Sequence, residues 1–184
     1  MPRYLALLRG INVGGRNKVA MADLRVVAAD LGHSDVTTYI QSGNLVFTSR
    51  ETDVTSLAAA LEAEIEARLG VRPAVVVISG PELARVIADN PFPEEANPKC
   101  LHAVFRRDKV DESSIALVAA AVRRARESGS RDDAAVVGRI LFLRTPDGLG
   151  RSDMAAQLGR SSVQSAGTAR NWATVTKLME MLGE

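Results

Sequence analysis

Residues that usually announce a chemistry are scarce in this chain of 184. Cys100 is the only cysteine, so no disulfide can form within the chain and a reducing, cytoplasmic setting is expected. His33 and His102 are the only histidines, too few with one cysteine to assemble a structural Cys/His zinc site. No metal and no cofactor is expected. Aromatic residues are limited to four Phe, two Tyr and one Trp, and no stretch resembles the aromatic, basic strands on which a sheet stacks RNA bases. A dominant charge is missing too. The 23 Lys and Arg stand against 22 Asp and Glu, which gives no whole-molecule pull toward nucleic acid or acidic membranes. Met1-Pro2-Arg3 leads directly into YLALL and Arg9, an apolar stretch too short for a signal sequence or a membrane span.

What is present reads as a folded globular protein. The composition is 46% apolar and 24% charged, which argues against disorder. A chain of this length makes one domain or two small lobes and should bury roughly 70% of its extended surface without a staple.

Tyr4 to Leu8 is an unbroken apolar run, the mark of a central strand. Met21, Leu24, Val27, Ala28 and Leu31 recur at helical spacing, and Gly32 stops the helix. Val36 to Ile40 and Leu45 to Thr48 are strands joined by turn residues, hence a hairpin. Thr52 or Asp53 caps a helix whose face carries Leu57, Leu61, Ile65 and Leu69, Gly70 ends it, and Val75 to Ile78 is the fourth strand. The order β-α-β-β-α-β predicts a ferredoxin-like α+β lobe over residues 1–80.

Residues 81–99 then hold a short helix opened by Pro81 and a Pro-rich break from Asn90 to Pro98. Residues 100–184 repeat strand, helix, strand, strand: Leu101 to Phe105, Ile115 to Arg126, and a hairpin of Ala134 to Val137 and Ile140 to Leu143 about Gly138-Arg139. This predicts a related second α+β lobe. Ser152 caps a helix through Leu158, and Gly167 to Asn171 leads into a last helix that packs back, with Asn171 as its N-cap. Arg170 and Asn171 would then lie beside backbone donors that favour an anion.

The charge is unevenly placed. Residues 1–25 hold Arg3, Arg9, Arg16, Lys18 and Arg25 against Asp23 alone. Within this stretch Gly10-x4-Gly15-Arg16-Asn17 has the glycine spacing of a Walker A loop, but Arg replaces its lysine and Asn its magnesium-binding hydroxyl. Gly10-x3-Gly14 also fails the dinucleotide GxGxxG spacing. A smaller role survives: Gly10, Gly14 and Gly15 let consecutive amides form an anion nest, with Arg9, Arg16 and Lys18 around it. The competing reading is a strand-to-helix crossover with a solvated basic rim. Gln41-Ser42-Gly43-Asn44 is equally open between a turn and a ligand wall, with Tyr39 and Gln41 able to meet a base.

Catalytic arrangements are weaker. Cys100 and His102 share a strand face but lack a third group. His33 follows a helix-ending Gly, and Glu62, Glu64 and Glu66 lie on a solvated helix, so no paired-carboxylate machinery is visible. Trp172 falls on an apolar helix face and reads as core.

Four motifs in fixed order, RGINVGGRNKV (9–19), TYIQSGNLVF (38–47), NPFP (90–93) and TARNWATVTKL (168–178), resemble the DUF1697 family of uncharacterised bacterial proteins, essentially from end to end. The family pattern falls on Arg9, Gly10, Asn12, Gly14, Gly15, Asn17 and Lys18. It falls next on Tyr39, Gln41, Ser42, Gly43 and Asn44, and last on Arg170, Asn171, Trp172 and Lys177. Two departures thin the anion site in the second half: the usual TTRNW carries Ala169, and Ser152-Asp153 stands where many relatives have Ser-Lys. The resemblance implies a two-lobed α+β protein and supplies no activity. Three functions stay open: a binder of a phosphorylated small molecule or nucleic acid, a small-molecule enzyme with Lys18, Ser42 or Lys177 as reactive group, and an interaction or structural protein. No membrane partner is expected.

Overall fold

Strand β1 (Arg3–Leu8) is buried at every position after the first and is central in its sheet, with a paired strand on each edge. The computed structural model describes residues 1–15 and 17–183, without the side chain of Ser165. β1 pairs antiparallel with β3 (Asn44–Thr48), Leu5 facing Val46, and with β4 (Val75–Ser79), Leu5 facing Ile78. β2 (Ser34–Tyr39) pairs with β3, giving the order β2-β3-β1-β4. Its ladder is irregular between Ser34 and Thr37, where Asp35 adopts φ +51°.

Helices α1 (Met21–Asp30) and α2 (Val54–Leu69) supply the core on one face. Leu24, Val27, Leu57, Leu61 and Ile65 pack with Tyr4, Ala6, Leu8, Leu45 and Phe47. The alternate strand residues Leu5, Leu7, Val46 and Val76 are buried as well, which is why these strands read as continuous apolar runs. Asp53 caps α2 by accepting from the Thr55 and Ser56 amides, and Gly70 closes it at φ +65°.

The connectivity then repeats. After α3 (Gly80–Ala88) come β5 (Leu101–Arg106), α4 (Glu112–Glu127), β6 (Asp133–Val137) and β7 (Ile140–Arg144). The second sheet has the order β6-β7-β5-β8, with β8 (Gly167–Asn171) antiparallel to β5. Where the first sheet uses one long helix before its last strand, the second uses a 3-10 turn at Leu149–Arg151, α5 (Asp153–Gly159) and the short α6 (Ser162–Ser165). The core beside this sheet joins Val104, Leu141 and Leu143 to Val118, Ala121, Val122, Met154 and Leu158. α7 (Trp172–Leu182) ends the fold.

The architecture is therefore α+β with two repeated β-α-β-β-α units. Two compact units are distinct: Met1–Arg85 together with the stretch from Lys177 onward, and Val86–Thr176. The 3-10 turn, α6 and β8 are additions to the sequence reading, and β8 departs from it most. Gly167 to Asn171, expected as a lead into the last helix, is strand β8. Its residues carry no β-branched run, so its conformation comes from the β5 ladder rather than from local preference. Gly167 suits that pairing, since a Cβ there would lie 2.7 Å from Val104 Cγ1 and 2.8 Å from the Phe105 carbonyl.

Candidate functional site

Residues 9–20 connect β1 to α1 and form a loop whose neck is closed by asparagine. The Asn12 amide donates to the Asn17 carbonyl at 3.0 Å, and Asn17 Nδ2 donates to the Gly10 carbonyl at 2.9 Å. Asn12 Oδ1 accepts from the Val19 amide while Asn12 Nδ2 donates to the Val19 carbonyl, both at 2.9 Å. Both asparagines adopt left-handed backbone, φ +54° and +49°, which their short amide side chains tolerate better than most residues do. Gly14 and Gly15 at the exposed tip share that handedness. Arg16 lies outside the described residues.

A second loop, residues 40–43 of the β2–β3 hairpin, docks onto the first. Asn12 Nδ2 also donates to the Gln41 carbonyl at 2.9 Å, and the Leu8 amide to the Gly43 carbonyl at 2.8 Å. Gly43 is required by space as well as by φ +78°, since a Cβ would lie 2.7 Å from Ile11 Cδ1 and 2.8 Å from Leu8 Cβ. Asn44 is fully buried and donates to the Tyr39 carbonyl and Ser42 Oγ, both at 2.9 Å. The amides of Asn12, Asn17 and Asn44 thus replace backbone pairing in two irregular loops.

The basic side chains of this region separate into two groups. Arg3 donates to the Leu182 carbonyl at 3.2 Å, and Arg25 to Thr38 Oγ1 at 2.8 Å. Arg9 and Lys18 are exposed, and their side chains make no hydrogen bond or ion pair among the described residues. They leave the chain immediately outside the Gly10–Asn17 contact that closes the neck. Gln41 is exposed and Tyr39 half-buried beside them on the hairpin.

Lys177 Nζ bonds Glu180 Oε2 at 2.7 Å, which raises its pKa, and nearby Tyr39 adds a smaller effect in the same direction. A lysine held protonated is a poor nucleophile. Ser42 Oγ accepts from Asn44 Nδ2 at 2.9 Å.

Arg170 and Asn171 belong to the second unit. Arg170 is buried and donates to Thr168 Oγ1 and the Ala169 carbonyl at 2.8 Å, and burial lowers its pKa to about 10. Asn171 Oδ1 accepts from the Thr174 amide at 2.9 Å, the bond of an N-cap, so that donor of α7 is already satisfied. Trp172 packs on Phe142 with ring centres 6.1 Å apart.

The titratable outliers are structural in their surroundings. His33 stacks on Phe47 at 4.5 Å, and burial lowers its pKa, as it does for His102. Cys100 is buried with its Sγ 3.5 Å from the Pro146 carbonyl. Glu62, expected to be solvated, accepts from the Val75 amide at 2.7 Å and so ties α2 to β4. No group of three His, Cys, Asp or Glu side chains fit to hold a metal occurs among the described residues, and none of their helices is long and apolar enough to cross a membrane.

The family model for DUF1697, a protein of unknown function, matches residues 1–142, which include both docked loops and, of the second sheet, β5, β6 and the start of β7. The chain belongs to the DUF1697 family. Among solved structures, the conserved bacterial protein SP0830 from Streptococcus pneumoniae is similar over 98% of each chain, with a TM-score of 0.74 and 24% identity. That likeness extends the shared fold past the end of the DUF1697 match, through β8 and α7. No curated protein matches.

Sequence reasoning did not single out one polar cluster of the second unit. Asp132, Arg124 and Arg151 line a cavity of about 560 Å3 between the end of α4 and the start of α5. They stand far apart in the chain, and no spacing rule links them.

Proposed function

We propose that this DUF1697 protein binds a phosphorylated small molecule at the neck of the 9–20 loop. The observation that supports it is the pair of exposed cations, Arg9 and Lys18, without partners among the described residues beside a loop held in shape by its own asparagines. A phosphate between them gains two charge-assisted contacts, and little loop ordering is needed because the neck is already closed. Left-handed glycines at the tip favour the close backbone approach of an anion nest. A small ligand is preferred over nucleic acid because the unpartnered charge is local and aromatics are few. Each strand order, with two antiparallel neighbours about the first strand of its unit, supports the ferredoxin-like reading of the lobes. The lone cysteine supports a cytoplasmic setting.

Calorimetric titration with inorganic phosphate, ATP and a short single-stranded oligonucleotide tests the proposal. Phosphate or ATP should bind the unaltered chain, more weakly as salt rises, and the Arg9→Ala/Lys18→Ala variant should lose that binding with stability changed by less than about 0.5 kcal/mol. Tight oligonucleotide binding with a steep salt dependence favours nucleic acid instead. Equal behaviour of the two forms toward all three probes removes the site. A second reading, that the polar motifs serve structure or protein contacts, draws on the internal bonds of Asn12, Asn17 and Asn44. It gains if none of the probes binds.

A further inference from the structure

The cavity in the second unit contains a charge that needs explaining. Asp132 is 7% exposed and lines the cavity, and its carboxylate makes no hydrogen bond or ion pair among the described residues. Its own amide is satisfied by Ser130 Oγ at 3.1 Å. The adjacent Arg131 is committed to Asp147 at 2.6 Å and feels Asp132 as the smallest of its influences. Burying a carboxylate without a partner is unfavourable, so a site of this kind suits a ligand that brings a cation. The C-terminal end of the 16-residue helix α4 faces the same space, and its dipole favours positive charge there.

The rim has the opposite character. Arg124 and Arg151 line the cavity, are exposed, and hold no hydrogen bond or ion pair through their side chains among the described residues. Two arginines against Asp132 and Asp153 leave the lining without net formal charge. A simple cation would meet the arginines, and a simple anion would meet Asp132. A molecule carrying both charges satisfies the two ends. We propose that this cavity binds a small amino acid-like zwitterion, its ammonium on Asp132 and its carboxylate between Arg124 and Arg151. A cavity of about 560 Å3 has the size of ordinary small-molecule sites. Gln157 also lines the cavity and adds a polar amide to its wall.

The test is calorimetric titration of the full chain with each standard amino acid, then with the N-acetyl and carboxamide derivatives of the tightest binder. Both derivatives should bind about tenfold or more weakly, since each removes one charged contact. Asp132→Asn should weaken the free amino acid to a similar degree. The exposed Arg124→Gln and Arg151→Gln variants carry the test if Asp132→Asn impairs folding, and each should reduce affinity without lowering Tm. Absence of binding by every amino acid overturns the proposal. So does binding indifferent to N-acetylation or to the two arginine variants. A lowered Tm in the arginine variants with no ligand bound would show that they only neutralise Asp132. The phosphate probes of the first site report on Arg9 and Lys18, so either site can fail alone.

Discussion

The first strand of each unit runs into a helix, and the two connections solve the same problem differently. In the second unit residues 107–111 suffice: Asp111 caps α4 through the Ser114 amide at 2.8 Å and bonds the Ser113 hydroxyl at 2.5 Å. In the first unit residues 9–20 are used, Ala20 at the helix start makes no side-chain cap bond, and the polar side chains bond the loop to itself. The hairpins both dock on these connections but by different means. Gly138-Arg139 turns β6 into β7 and docks through a charged side chain, Arg139 donating to the Arg106 and Arg107 carbonyls at 2.8 and 3.4 Å, whereas residues 40–43 join β2 to β3 and dock through Asn12 and the close fit of Gly43. One sheet order thus carries a spare scaffold in one unit and an elaborated loop pair in the other. Elaboration at strand ends leaves the ladders intact, which is why binding groups concentrate there.

The comparison breaks or sharpens first at the hairpin glycines. Gly43→Ala should destabilise by about 2–4 kcal/mol, combining left-handed backbone with collision against Ile11 and Leu8. Gly138→Ala, also left-handed at φ +60° but facing open space, should lose about 1–2 kcal/mol. Equal losses in urea unfolding would mean that docking of the two loops contributes nothing beyond backbone handedness. Next comes the asparagine pair. Asn12→Ala removes bonds to both Val19 and Gln41 and should lose about 2 kcal/mol, against about 1 kcal/mol for Asn171→Ala, which removes a single cap bond.

The smallest effect is in acid. Hydrogen bonds from the Ser113 hydroxyl and the Ser114 amide lower the Asp111 pKa from 3.8 to about 2. A lowered carboxylate pKa stabilises the folded state above pH 3.8, and that contribution fades as pH falls toward 2. Asp111→Asn should therefore flatten part of the acid limb of the stability profile. An unchanged limb would show that the cap is not held in solution.

Much of the fold was legible because its strands are apolar runs and its helices carry periodic faces. Leu5 and Leu7 announce a buried strand, and Leu57, Leu61 and Ile65 a buried helix face, whatever surrounds them. Asp53, Ser152 and Asn171 were readable as caps because a cap is a local bond. Strand β8 was not legible: GTARN has no strand character until β5 supplies its partners. The candidate loop was legible in residue type and not in role. Glycine and asparagine signal left-handed turns, but nothing in their order says that Asn12 would reach Gln41 while the Arg9 and Lys18 side chains kept no partner among the described residues.

Local chemistry, then, was enough to specify most of the elements, their order and many of their ends, since hydrophobic period, helix capping and turn preference act over a few residues. The pairing of β8, the docking of residues 9–20 on 40–43 and the gathering of Asp132, Arg124 and Arg151 around one cavity required the folded chain. Those contacts join residues separated by long stretches of sequence, and packing and hydrogen-bond satisfaction choose them only after the sheets have formed.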